Sequence, residues 1–297
     1  MRVLVTGCTG RVGSVLLDRV PSGMEAEILL GPADQHIPPF PWYRADITER
    51  DRVIMAITCA RPDMLVHLAA MTDVDGCERH PETAFRVNRD GAAHVAEACG
   101  RCGAGMVYLS TDYVFDGRTG PYTETDEPRP VNVYGASKLE GERVAARALD
   151  RLAVVRISVP FGRRMPGSPH NFVSIIDERL AAGSPVRAAV DQRTTPAWLA
   201  ELAEFLWTVA RGDVRGIIHY GTSDRLSRYE MAIALCAARG YDEALVEPVR
   251  TADLGLATER PLESGFVTGR AAAVLGRPPV TFRDAVESMT GQGEEPA

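Results

Sequence analysis

A tyrosine and a lysine four residues apart, Tyr134 and Lys138 in YGASK, close a stretch that opens on the hydroxyl pair Ser110-Thr111. On a helix, positions i and i+4 project from one face, which would set the phenol beside the ammonium. Such a pair is a proton donor next to a fixed positive charge. A phenol with a pKa of about 10 is a poor acid near neutrality, and a neighbouring ammonium favours its ionised form and eases proton transfer. Spacing alone does not separate this pair from an ordinary exposed helix face. The elements around it decide.

Residues 2–6, RVLVT, read as a buried strand that runs into GCTGRVG and then the apolar-periodic VGSVLLDRV. Gly7, Gly10 and Gly13 in such a turn let backbone approach a pyrophosphate at a helix N-terminus, although a tight turn packed by small residues has the same pattern. Further strands are expected at 26–30, 63–68, 105–110 and 152–158. Helices are expected at 49–60, from Pro81 to about 103, and from YGASK to about 150. This alternation of apolar strands with helices predicts an α/β fold, a Rossmann-type doubly wound parallel sheet with ligands at the carboxyl ends of its strands. The glycine turn, His67 to Ala70 and Ser110-Thr111 all fall at those ends. His67, closing an apolar strand, is read as structural.

Beyond residue 160 the alternation fades. FGRRMPGSPH (161–170) reads as a loop leaving the sheet, followed by a helix at 171–182 and an extended piece near Val186. WLAELAEFLWTVARG is an amphipathic helix and GIIHYG (216–221) a buried strand. Helices at 227–239 and 282–289 alternate with loops, and the tail GQGEEPA is expected to be mobile. The expected division is a dinucleotide-binding domain at 1–160, with 193–220 returning to it, and a smaller interleaved substrate-binding lobe at 161–192 and 221–297.

Composition narrows the partners. The 297 residues carry 33 basic and 40 acidic side chains, a formal charge of −7, without a dense basic run, which argues against nucleic acid and for small molecules or proteins. No apolar run approaches the roughly 18 residues of a membrane span, and the opening stretch is too short and glycine-rich for a signal peptide, so a cytoplasmic location is expected. Six scattered cysteines read as reduced thiols; Cys99 and Cys102 form a CxxC with neither a second pair nor spaced histidines, and no metal site is expected.

Taken together, TGCTGRVG (6–13), STDYVFDG (110–117) and YGASK (134–138) resemble the extended short-chain dehydrogenase/reductase family, most closely its dTDP-4-dehydrorhamnose reductase branch. VHLAAMTDVDGCE (66–78), FRVN (85–88), NFV (171–173), DQRTTP (191–196) and RPLESG (260–265) carry the resemblance over nearly the whole chain. It implies a cofactor domain for NAD(P)H and a lobe for a nucleotide sugar. Thr111 takes the position of the catalytic Ser/Thr that polarises a carbonyl, and Tyr134 that of the acid that protonates it. Lys138 takes that of the lysine that holds the nicotinamide ribose. Gly7, Gly10, Arg11, Val12 and Gly13 match the pyrophosphate turn, Asp46 and Ile47 the adenine contact, and Leu68, Ala69 and Ala70 the loop under the cofactor. Thr111, Asn171 and Arg260 match substrate contacts, with a structural ion pair as the other reading of Arg260. Asn88 matches either an asparagine near the site or one that closes a helix irregularity.

The second strand ends Leu30-Gly31-Pro32 without the acid that NAD-preferring folds place there, and Arg11 is suited to a 2'-phosphate. NADPH is the expected cofactor and NADH the alternative. Two departures from the branch concern substrate and assembly: Val159 stands where a tryptophan is common, and Ser14-Val15 follow Gly13 where a glutamate contributes to a magnesium-linked dimer. The expected activity is NAD(P)H-dependent reduction of a nucleotide-linked, dTDP-type 4-keto-6-deoxysugar, with a homodimer left open. The alternatives are a regulatory subunit resembling the methionine adenosyltransferase beta subunit, and a nucleotide-sugar epimerase or dehydratase.

Overall fold

Strands apolar on both faces need helices on both sides, and the computed structural model, which describes residues 1–162 and 171–291, has that arrangement. The first half runs β1 (Arg2–Thr6), α1 (Arg11–Leu17), β2 (Glu25–Leu30), β3 (Trp42–Arg44), α2 (Arg50–Ala60) and β4 (Met64–His67). It continues through α3 (Val74–Arg79), α4 (Pro81–Phe85), α5 (Gly91–Cys102), β5 (Gly105–Thr111), α6 (Val133–Ala148) and β6 (Leu152–Phe161). The second half contains α7 (Phe172–Ala181), β7 (Val186–Ala189), β8 (Arg193–Thr194), β9 (Pro196–Trp198), α8 (Leu199–Arg211) and β10 (Gly216–Tyr220). After these come β11 (Leu226–Ser227), α9 (Arg228–Arg239), β12 (Val246–Val249), α10 (Gly269–Leu275) and α11 (Phe282–Gly291).

The main sheet is parallel, in the order β3-β2-β1-β4-β5-β6-β10, with β9 added on the far end of β6. Alternate residues of one strand serve opposite cores: Val3 and Val5 pack with Leu16 of α1 and Leu202, Phe205 and Leu206 of α8, whereas Leu4 packs with Ile57 of α2 and Val95 and Ala96 of α5. A third core joins α7, α9 and α11 through Ile176, Leu235 and Val286, with Phe161 at the end of β6 packed into it. The β7–β12 and β8–β11 pairs lie outside the main sheet. Among the described residues no helix is long and apolar enough to cross a membrane.

The expected strands and long helices are present, and the differences lie in short pieces. β3, α3, α10, β8, β11 and β12 escape a periodicity reading because each spans too few residues to establish a period, whereas the extended piece expected near Val186 is β7, paired with β12. The helix expected from Pro81 is interrupted by a π-helical turn at Arg86–Asp90. Val159 has φ +40° where β6 leaves β10 and shifts register to meet β9, an uncommon conformation for a β-branched residue. Residues 163–170 of the expected loop and 292–297 of the expected tail lie outside the described residues.

Candidate active site

At the carboxyl end of β1 the backbone turns on three glycines with different reasons for being glycine. Gly7 has φ +65°, and a Cβ there would stand 2.6 Å from the Ala69 nitrogen; at Gly13 it would stand 2.4 Å from the Gly7 oxygen. Both are required by packing. Gly10 is different, since its Cβ would meet only the Gly7 oxygen, at 3.2 Å. Its bare backbone faces open space, the condition a pyrophosphate needs for close approach. Gly10 is also the N-cap of α1 and offers no side-chain cap to the first-turn N–H groups of that helix. Arg11 opens the helix half-buried, its guanidinium pKa lowered by burial, and Val12 packs against the core. These residues fit a dinucleotide.

The loop after β4 is pinned beside this turn. The Thr6 hydroxyl accepts from the Leu68 and Ala69 N–H groups, each at 3.2 Å, and its own proton therefore goes to His67 Nδ1, 2.8 Å away. His67 is buried against Tyr108, and desolvation with the nearby Lys138 charge holds its pKa down to about 3, which agrees with a neutral structural role. Ala70 is half-buried in the same loop. Asn88 sits in the π-helical turn. Its side chain accepts from Met71 N–H at 2.8 Å, donates to the Met71 carbonyl at 3.0 Å and donates to Ser137 at 2.9 Å, bracing the loop against α6. Both readings of Asn88 therefore meet: it fills a helix irregularity and it orders the loop next to the site.

Asn132 caps α6 through Gly135 N–H at 2.9 Å, placing Tyr134 in its first turn and Lys138 one turn on. Gly135 lets the helix press on β5's extension, where a Cβ would stand 2.0 Å from the Tyr113 carbonyl oxygen. Thr111, the last residue of β5, accepts from Tyr113 N–H at 3.2 Å, and its hydroxyl lies near enough to Tyr134 to lower the phenol's pKa. Lys138 Nζ donates to the Leu109 carbonyl at 2.8 Å and lies 4.1 Å from the centre of the Tyr108 ring. The electrostatics differ from the expectation raised by YxxxK. Burial pushes the Tyr134 phenol up, with only partial relief from Thr111, because Lys138 is directed at a carbonyl and is itself held down to about 7 by desolvation. Behind them Glu142, i+4 from Lys138, accepts from Ser110 and from Arg156 at 2.9 and 2.6 Å, an ion pair almost wholly out of water.

The lobe meets this constellation at Asp112, next to Thr111. Its carboxylate accepts from Ser158 at 2.7 Å, Ser264 at 2.8 Å and Thr194 at 3.3 Å, tying β6, β8 and the segment before α10 to the end of β5. Burial raises its pKa against those hydroxyl bonds. Asn171, expected to contact substrate, is the N-cap of α7: its Oδ1 accepts from Ser174 N–H at 3.0 Å in a capping box, which commits one lone pair of that oxygen to the helix. Arg260 donates to Asp75 at 2.9 Å, the ion-pair reading, while its Nη1 is buried with no partner among the described residues.

On the adenosine side an acid does follow the second strand. The chain turns back after Gly31, and Asp34 accepts from Gly31 N–H at 2.7 Å and from Thr9 of the glycine turn at 2.6 Å. The absence read at Leu30-Gly31-Pro32 is thus a matter of offset: the carboxylate arrives one turn later, with both oxygens engaged. Arg44, at the end of β3, donates to the Gly31 and Asp34 carbonyls beside it. Asp46 and Ile47 follow β3 at the same end of the sheet; Asp46 accepts from Thr48 at 2.9 Å in a local turn, and the Ile47 carbonyl bonds His94. All six cysteines are free thiols, and no metal-binding cluster of His, Cys, Asp or Glu occurs among the described residues.

Sequence reasoning missed Asp34, Asp112, the Glu142–Arg156 pair and Tyr113. Glu142 carried a usable signal, its i+4 spacing from Lys138, and Asp112 lies inside STDYVFDG. Asp34 and Tyr113 had none beyond their neighbours.

A doubly wound parallel sheet with a glycine turn after β1, and a Thr-Tyr-Lys set between β5 and α6, defines the short-chain dehydrogenase/reductase class in its extended form, with a lobe over the carboxyl ends. The chain belongs to the RmlD substrate binding domain family, whose model matches residues 1–294. It is 34% identical to a dTDP-4-dehydrorhamnose reductase of Mycobacterium tuberculosis, over 94% of this chain and 88% of that one. It is 33% identical to a methionine adenosyltransferase 2 subunit beta of Danio rerio, over 88% and 80%. The crystal structure of a dTDP-4-dehydrorhamnose reductase from Bacillus anthracis in complex with NADP superposes with a TM-score of 0.85 at 26% identity, over 98% of this chain and 99% of that one.

Proposed function

We propose that this protein is an NADPH-dependent reductase of a nucleotide-linked 4-keto-6-deoxysugar of the dTDP type. The observation that carries the reading is the placing of Thr111 at the end of β5 beside Tyr134 in the first turn of α6, with Lys138 one turn on, at the strand ends that also hold the glycine turn. The named reductase relatives and the NADP complex support the substrate class and cofactor. NADPH, when bound, supplies the hydride. Thr111 polarises the keto oxygen, which gains negative charge as the carbonyl carbon is reduced. Tyr134 gives its proton to that oxygen; a sugar alkoxide is a far stronger base than a phenolate, so transfer runs downhill even from a phenol whose pKa burial has raised. Lys138 steadies the phenolate left behind and holds the ribose. Gly7, Gly10, Arg11, Val12 and Gly13 cradle the pyrophosphate. Asp46 and Ile47 meet the adenine, Leu68 to Ala70 line the cofactor, and NADH is the alternative for which Asp34 speaks. We assign 1–160 with 193–220 to the cofactor domain and 161–192 with 221–297 to the substrate lobe, where Asn171 and Arg260 contact the nucleotide sugar.

The test is a panel of dTDP-4-keto sugars with NADPH, followed at the nicotinamide absorbance. At least one sugar is expected to drive stoichiometric oxidation. Absence of turnover across the panel, together with a stable complex with a methionine adenosyltransferase catalytic subunit, would favour the regulatory reading that the Danio rerio relative supports. Tightly retained, recycled cofactor would point to an epimerase or dehydratase.

A further inference from the structure

One segment of the lobe touches both hydroxyl-bearing residues of the site through their neighbours. Residues 258–266 bridge to the loop after β5 at Tyr122 and to β8 at Arg193. The Glu263 N–H donates to the Gly117 carbonyl at 2.7 Å, and the Ser264 N–H to the Arg193 carbonyl at 3.0 Å. A Cβ on Gly117 would stand 2.4 Å from the Pro261 Cβ, so the segment is pressed against that loop. At one end, the Ser264 hydroxyl donates to Asp112, the residue after Thr111, at 2.8 Å. At the other, the Glu259 carbonyl accepts from the side-chain amide of Asn132, two residues before Tyr134, at 3.0 Å. The segment is a strap anchored beside Thr111 and beside Tyr134.

Asn132 does two things with one amide. Its Oδ1 accepts from the Gly135 N–H at 2.9 Å, capping α6 and fixing the turn that carries Tyr134, while its Nδ2 holds the strap. The side chain is 6% exposed. Its oxygen and nitrogen lie on one planar group and turn together, so a strap that shifts rotates the cap with it. Two outer contacts run beside this buried link through α3. Asp75 accepts from Arg260 of the strap at 2.9 Å, and Glu78 accepts from the Val133 N–H, at the first position of α6, at 3.1 Å. Capping alone does not call for asparagine. Serine caps as well, as Ser227 does at α9, but asparagine adds an amide donor beside the capping oxygen.

We propose that Asn132 is a positioning residue that couples the strap, Glu259 to Ser264, to the turn carrying Tyr134, so that occupancy of the lobe sets the phenol relative to Thr111. The inference rests on the reading of Tyr134 as the proton donor, and it gives Asn132 no contact with the sugar or with NADPH. Misplacing a reacting group by about 1 Å can cost about 100-fold in rate, so a loosened tie shows in kcat rather than in binding.

Asn132→Ser, which keeps the cap and loses the tie, and Asn132→Ala, which loses both, separate this role from capping. Hydrogen exchange of the full chain without ligand reads the link itself. In Asn132→Ser the amides of Glu263 and Ser264 should exchange about 10-fold faster while residues 135–139 keep their protection, and in Asn132→Ala both segments should loosen. With NADPH and a keto sugar that the original chain reduces, Asn132→Ser should lose about 10-fold in kcat, with KM and NADPH affinity within about three-fold. Unchanged strap exchange in Asn132→Ser overturns the tie. Loosening of 135–139 in that variant equal to that in Asn132→Ala also overturns it, since that marks a cap and nothing more. An unchanged kcat overturns the positioning role and leaves the reductase reading standing. If the original chain reduces no keto sugar, the reductase reading falls and the positioning role with it, while a faster strap in Asn132→Ser still establishes the tie.

Discussion

The two sides of the site are held by different means. On the cofactor side, Gly7, Leu68 and Thr111 sit at or just past the ends of β1, β4 and β5, whose backbone ladders run side by side, with the Thr6 hydroxyl adding to the hold on Leu68. On the lobe side, Asp112, Asn171, Arg228 and Arg260 come from short strands, caps and loops, and side chains hold them: three hydroxyls on one carboxylate, a capping box, one amide and one ion pair. A ladder tolerates the loss of one contact because neighbouring bonds keep the register. A side-chain knot has no such reserve. On the proposed function, the chemistry falls to the stiff half and substrate choice to the half that single substitutions can reshape.

That contrast can be broken at several points. The largest effect on stability is expected at Glu142→Ala, which strands Arg156 in the core beneath the cofactor side; removing one partner of a buried pair costs about 3–5 kcal/mol, to be read by urea denaturation. A loss under about 1 kcal/mol would show that the pair is not what stiffens this half. Next, Gly13→Ala and Gly10→Ala should separate packing from binding. Gly13→Ala forces a Cβ into the Gly7 carbonyl and should cost about 1–3 kcal/mol of stability. Gly10→Ala should leave the melting temperature nearly unchanged and weaken NADPH binding, and equal stability losses in both would remove the case for a pyrophosphate at Gly10.

A smaller, pH-dependent effect belongs to Lys138. Its folded pKa is held down to about 7 by burial, so between about 7 and the ordinary lysine value near 10.4 the unfolded chain binds a proton that the folded chain does not. Its contribution to stability therefore rises with pH across that window, by at most about 1.4 kcal/mol per pH unit, and the penalty is fully present below it. The buried thiols of Cys8 and Cys77, raised to about 11, act in the opposite direction at alkaline pH. The difference between the original chain and Lys138→Met isolates the lysine, and a difference independent of pH from 6.5 to 9.5 would contradict a depressed Lys138.

The same contrast explains what was legible from the residues alone. β1, β4, β5 and β6 are apolar on both faces and α6 and α8 are long, so period and length reveal them, and the positions of Thr111, Tyr134 and Lys138 follow from the sheet. Asp34 was hidden because a turn of four residues brings it back to the glycine loop, which no periodicity reports. Arg228 was hidden because an arginine opening an amphipathic helix reads as solvated, and only packing by Phe172 and Gln192 turns it inward. The direction of the Tyr134 shift depends on burial and on where Lys138 Nζ points, and neither is written in the spacing of YxxxK.

Turnover of Tyr134→Phe tests the account most directly, because the substitution removes one oxygen and leaves the ring against Tyr113. With NADPH and a dTDP-4-keto sugar reduced by the original chain, kcat should fall about 10²- to 10⁴-fold while NADPH affinity stays within a few-fold. A variant that keeps its full kcat would contradict the assignment of Tyr134 as the proton donor.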